Sequence, residues 1–127
     1  MEINHPATLA KVTAAFAAYE AALVGNDVAT LDALFWDDAR VIRYGIAENL
    51  HGAVEIRAFR QARSPSGLAR QLSRTTITTF GRDMATASTL FHRASAPAKV
   101  GRQMQTWARL PQGWRVVAAH VSMIETP

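Results

Sequence analysis

Six side chains in this sequence combine reactive chemistry with a spacing that aims them: Tyr19, Arg43, Gln105, Trp107, His120 and Ser122. Tyr19 falls on the stripe Leu9, Val12, Phe16, Tyr19, Leu23, whose spacings of three and four mark one face of an amphipathic helix. Beside a cation, a hydroxyl there is an acid or a donor to a developing oxyanion; among apolar neighbours alone it is a core tyrosine. Arg43 alternates with Val41, which turns both to one face of a strand while Arg40, Ile42 and Tyr44 take the other. A guanidinium cannot release its proton and can only bind or stabilise negative charge. On an inward face it requires a partner, either a substrate carboxylate or one of Asp37, Asp38 and Glu48. Strand alternation groups His120 with Trp114, Val116, Ala118 and Ser122, and makes it the one base near neutral pH on that face, or else a hydrogen-bonded core histidine. Gln105 and Trp107 share a face with Gln103. Two glutamines are more polarity than a plain core strand holds, and suit either the carbonyl and amide groups of a ligand or a subunit interface.

These side chains need elements to position them. The first helix runs from about Asn4 to Gly25, with Pro6 in its first turn and Asn4 or His5 as its cap. Asp27 caps a second short helix carrying Val28, Leu31, Leu34 and Phe35. Ala39 to Tyr44 is a strand, and His51-Gly52 opens a third helix lasting to about Arg63. Four strand-like segments follow: Leu68 to Phe80, Met84 to Arg93, Val100 to Leu110 and Trp114 to Ile124. Their short breaks predict an antiparallel meander, and the whole order gives an α+β layout with the helices on one face of a curved sheet.

The 127 residues, 49% apolar, fit a single domain spanning 1–127. The longest run free of Asp, Glu, Lys and Arg is nine residues, and the N-terminus has no basic start before an apolar run, so no membrane partner and a cytoplasmic address are expected. With no cysteine and four histidines lacking ligand spacing, neither a metal nor another cofactor is called for. Twelve of the fourteen cations are arginine. Arg57, Arg60, Arg63, Arg70 and Arg74 form a basic band expected to be a solvated face. None of the usual nucleic-acid motifs accompanies them, which argues against nucleic acid.

The element order, with Tyr19-Glu20-Ala21-Ala22-Leu23, Leu34-Phe35-Trp36-Asp37-Asp38-Ala39-Arg40-Val41, His51-Gly52 and Gly113-Trp114-Arg115-Val116-Val117, resembles the nuclear transport factor 2-like superfamily, the SnoaL and ketosteroid isomerase group. That resemblance implies a cone: a curved antiparallel sheet around a pocket closed by three N-terminal helices. Tyr19 stands where the isomerases place their oxyanion-hole tyrosine, and Arg43 where they place the aspartate that moves the proton. No acid stands near Gln103, Gln105 or Thr106 to replace their second aspartate. Exchanging a base for a guanidinium implies recognition of an anion.

Gly101-Arg102-Gln103, Gln105-Thr106-Trp107 and Ala118-Ala119-His120-Val121-Ser122 more narrowly resemble small SnoaL-like proteins of oxalurate and cyanuric acid catabolism. That resemblance implies a decarboxylating amidohydrolase acting on a carboxylated urea or similar short anionic amide. Tyr19, Arg43 and His120 would be catalytic, and Gln105, Trp107 and Ser122 would bind substrate. The other implied role is a non-catalytic binding protein or accessory of an amidase. A homodimer through the outer sheet face is expected, because the last strand is apolar on both faces.

Overall fold

The computed structural model describes residues 1–127. Helix α1, Pro6–Val24, starts with proline in its first turn, and the Thr8 N–H donates to Nδ1 of the capping His5. It buries Val12, Phe16, Tyr19, Ala22 and Leu23, and stops where the Gly25 N–H returns to the Ala21 carbonyl. By length and composition alone α1 is apolar enough to cross a membrane, so the longest charge-free run is not a sufficient guide; its buried stripe packs into the core. Helix α2, Val28–Leu34, is capped by Asp27, whose carboxylate accepts from the Thr30 N–H at 3.2 Å and the Thr30 hydroxyl at 2.6 Å. Helix α3 spans Ala53–Ala62. Gly52 before it has φ 89°, and a Cβ there would lie 3.2 Å from the Ala39 carbonyl oxygen.

Six strands form one sheet: β1 Ile42–Tyr44, β2 Asn49–His51, β3 Gln71–Phe80, β4 Met84–His92, β5 Lys99–Leu110 and β6 Gly113–Glu125. Their order is β2-β1-β6-β5-β4-β3. The meander β3 to β6 is antiparallel as the sequence predicts. The sheet as a whole is mixed rather than antiparallel, because β1 lies parallel to β6 with Arg43 opposite Ala119 and Tyr44 opposite His120. Alternation within three residues carries no information about the direction of a partner seventy residues away. Strand β2, too short and polar to read in the sequence, closes a hairpin on β1.

One irregularity decides which side chains enter the cone. Thr106 pairs with Ala118 but Trp107 pairs with Val116, so Val117 is an extra residue in β6. Before it, Trp114 and Val116 are buried; after it, Ala119 and Val121 are buried. The bulge exchanges the two faces of the strand. On the concave side, Val41, Val116, Trp107 and Trp114 pack against Val12, Phe16, Tyr19, Leu31, Phe35 and Ile56 from the helices, forming the core.

Candidate anion site in the cone

Arg43 projects from β1 to the concave side and is 9% exposed, as alternation with Val41 predicts. Its Nη1 donates to Glu48 Oε1 at 2.8 Å, and its guanidinium lies 5.2 Å from the centre of the Phe59 ring. The predicted salt-bridge partner is therefore Glu48, not Asp37 or Asp38. Gly45 makes room for this pair, since a Cβ there would come within 2.9 Å of Arg43 Nη1. Tyr19 is buried, with its ring 6.1 Å from that of Phe35.

Four more arginines converge on this interior. Arg60, 3% exposed, reaches from α3 to Asp32 at 2.8 Å and stacks over Phe35 at 4.2 Å. Arg63 lies over Phe59 at 5.8 Å. Arg70 and Arg93 flank the paired residues Gln71 and His92 at the end of the β3–β4 ladder, and sit 4.5 and 5.1 Å from the Phe91 ring. That ring occupies the space above Gly101, where a Cβ would come within 2.1 Å of it. Arg70 is held by both oxygens of Glu20, at 2.8 and 2.6 Å. Arg63 and Arg93 form no salt bridge. They share with Arg43, Glu48, Phe59 and Leu68 the lining of a pocket of ≈ 250 Å³.

Five guanidiniums thus stand against three carboxylates, Glu20, Asp32 and Glu48. Arg60, Arg63 and Arg93 are all held below the ordinary arginine range, first of all by burial. Burial lowers the Arg63 value, with the charge on Arg43 lowering it further and Tyr19 opposing. Burial also lowers Arg93, assisted by Arg70 and Arg43. Arg60 is lowered by burial, opposed by Tyr19 and Asp32. Each carboxylate is committed to an arginine, and no group of His, Asp or Glu is arranged to hold a metal ion.

Among the arginines and glutamines of the cone, the buried polar atoms without a partner are Arg60 Nη2, Arg63 Nε and Nη2, Arg93 Nε, Gln103 Nε2 and Gln105 Nε2, and every one is a donor; Asn26 Oδ1, an acceptor, and the Thr79 hydroxyl are likewise buried without a partner. The donor set of the cone is complementary to a molecule that brings acceptors and negative charge.

The predicted site residues separate into two groups. Tyr19, Arg43, Gln105 and Trp107 lie inside the cone, with Trp107 spending its indole N–H on Gln105 Oε1 at 3.0 Å. His120 and Ser122 do not join them. The Val117 bulge turns both to the convex face, where His120 is exposed with its ring 6.1 Å from Tyr44, and the Ser122 hydroxyl accepts from Arg102 Nε at 3.1 Å.

The basic band also divides. Arg57 pairs with Asp37 at the surface and Arg74 is exposed, but Arg60, Arg63 and Arg70 belong to the interior. A signal for two of them exists in the sequence: Ile56, Arg60 and Arg63 continue the four-and-three spacing of the buried face of α3.

A family model described as AtzH-like matches residues 1–127. Among solved structures, a DUF3225-family protein of Pectobacterium atrosepticum is 59% identical, with 97% of this chain and 95% of that one covered and a TM-score of 0.95. A cystatin-like fold protein of Burkholderia xenovorans is 53% identical over 100% and 99% of the two chains, with a TM-score of 0.96. At 17% identity, an NTF2-like protein of Pseudomonas putida covers 91% of this chain and 86% of its own with a TM-score of 0.77, a likeness of fold alone. No curated protein matches the chain. The architecture is that of the nuclear transport factor 2-like fold.

Proposed function

The chain belongs to the AtzH-like family, and from that premise we propose that it acts on a carboxylated urea or similar short anionic amide, removing a carboxyl group as CO₂ or hydrolysing the amide. The supporting observation is the set of orphaned donors, six on Arg60, Arg63, Arg93, Gln103 and Gln105, around a site with two uncompensated positive charges. A substrate carboxylate would bind at the mouth against Arg43, Arg63 and Arg93, with its carbonyl oxygen toward the glutamine amides. In decarboxylation the bond between carboxyl carbon and nitrogen breaks and its electron pair stays on nitrogen, delocalised into the carbonyl. The amide donors stabilise that charge, and Tyr19, buried in the cone beside Phe35, delivers the proton. His120 takes no part.

His120 lies on the convex face and each carboxylate of the cone is held by an arginine, which supports a second reading, a binding protein that shelters an anionic ureide or docks onto an amidase. Turnover of a carboxylated urea by the purified chain, followed as released CO₂, separates the two. Tyr19→Phe and Arg43→Met are expected to reduce the rate at least about a hundredfold; unchanged rates in both would sink the catalytic assignment. Met84, Met104 and Ile124, exposed on the convex face, support pairing of two copies there.

A further inference from the structure

We infer that Glu48 is a specificity-determining residue of the pocket, accepting an amide N–H of the ligand whose carboxylate meets Arg43, Arg63 and Arg93. This deepens the anion-site reading and rests on it. Three carboxylates neutralise arginines of the interior, but they are not placed alike. Glu20 and Asp32 lie outside the lining of the ≈ 250 Å³ pocket, as do Arg70 and Arg60, which they hold. Neutralising an arginine of the cone therefore does not require a place in the pocket wall. Glu48 nevertheless has one, together with its partner Arg43 and with Arg63 and Arg93.

The carboxylate is fixed in that wall. The Gly45 N–H donates to the Glu48 carbonyl oxygen at 2.9 Å and closes the turn between β1 and β2. Oε1 accepts from Arg43 Nη1 at 2.8 Å, and Oε2 accepts from the Ala47 N–H at 3.1 Å. Gly45 leaves the space that this carboxylate fills, since a Cβ there would overlap Oε1. A carboxylate offers about four acceptor positions, so each oxygen, engaged once, keeps one for a ligand. The side chain is 20% exposed and open to such a contact. The remaining charged groups of the lining, Arg43, Arg63 and Arg93, are donors only. The pocket thus sets three positive charges and one negative charge in a single wall. A ligand carrying an N–H beside its carboxylate satisfies both signs, whereas one with a methyl in that place desolvates Glu48 and gives it nothing to accept. Selection among anions follows from that difference.

Calorimetric titration of the full chain with three short anions tests this. Malonate reports the anion site itself; malonamate and acetoacetate carry the same single charge and nearly the same shape, and differ by an NH₂ in place of a methyl. Wild type is expected to bind malonate, and to prefer malonamate over acetoacetate by about tenfold or more. Glu48→Gln removes the acceptor-only group at nearly constant volume, so that preference should fall to about threefold or less, while malonate, relieved of a like charge, binds at least as tightly as to wild type. Gly45→Ala pushes the carboxylate aside without changing the charge of the pocket; it should lower the preference in the same way, and it decides the matter if Glu48→Gln does not fold. A wild-type preference near one, or the wild-type preference retained in either folded variant, overturns the role of Glu48 and leaves the anion site standing. Wild type that binds none of the three anions overturns the anion site, and the role of Glu48 falls with it.

Discussion

On the concave face of the sheet, Arg43, Gln103 and Gln105 are buried; on the convex face, reached by the side chain of the next residue along the strand, Met104 is 61% exposed beside His120. Burial ordinarily selects apolar side chains and exposure polar ones. Here the enclosed face holds guanidiniums and amides that cost folding free energy, offset only in part by Glu20, Asp32 and Glu48. The open face keeps methionines and isoleucine in water. The contrast teaches that each face is incomplete alone, the inner one lacking acceptors and the outer one lacking cover.

The largest test puts the same charge on each face. Val116→Asp, at a position with no exposure on the concave side, should cost about 3 kcal/mol or more, whereas His120→Asp on the convex side should cost less than about 1 kcal/mol, both read by chemical denaturation. Next in size, Arg43→Met should weaken malonate binding about a hundredfold, because it deletes a buried charge-assisted contact, while His120→Ala changes it less than about twofold. An equal effect of both variants would erase the distinction between the faces.

Arg63→Met and Arg93→Met should each weaken malonate binding about tenfold and yet raise the melting temperature of the unliganded protein. These cations have no carboxylate partner, and burial together with neighbouring guanidiniums penalises their charge. Loss of binding together with loss of stability would mean that they serve the fold. The smallest effect lies outside both faces. Hydrogen bonds from Thr30 hold the Asp27 carboxyl below the ordinary aspartate range. Its contribution is present above about pH 4 and is lost as pH falls through the depressed value. Asp27→Ser should keep the helix cap and remove that acid-dependent part, visible as a flatter stability profile below pH 4.

What was legible in the sequence follows from how local each signal is. The stripe of α1, the Asp27 cap, the inward turn of Arg43 and the shared face of Gln103, Gln105 and Trp107 each depend on a few adjacent residues, and each stands in the structure. Alternation alone puts His120 and Ser122 on the wrong face, because a bulge is set by the register between two strands, which one strand's pattern does not carry. Arg70 and Arg93, twenty-three positions apart, meet only through the pairing of β3 with β4. Their burial is a tertiary fact, and a basic residue in a sequence defaults to the surface.

The donors of the cone are built for an anion, and a crystal structure of the protein grown with malonate tests this most directly. The prediction is a malonate carboxylate bridging Arg43, Arg63 and Arg93, with its second carboxylate toward the amides of Gln103 and Gln105. Malonate seated instead in the convex groove beside Tyr44 and His120, with the cone left without it, would contradict the claim.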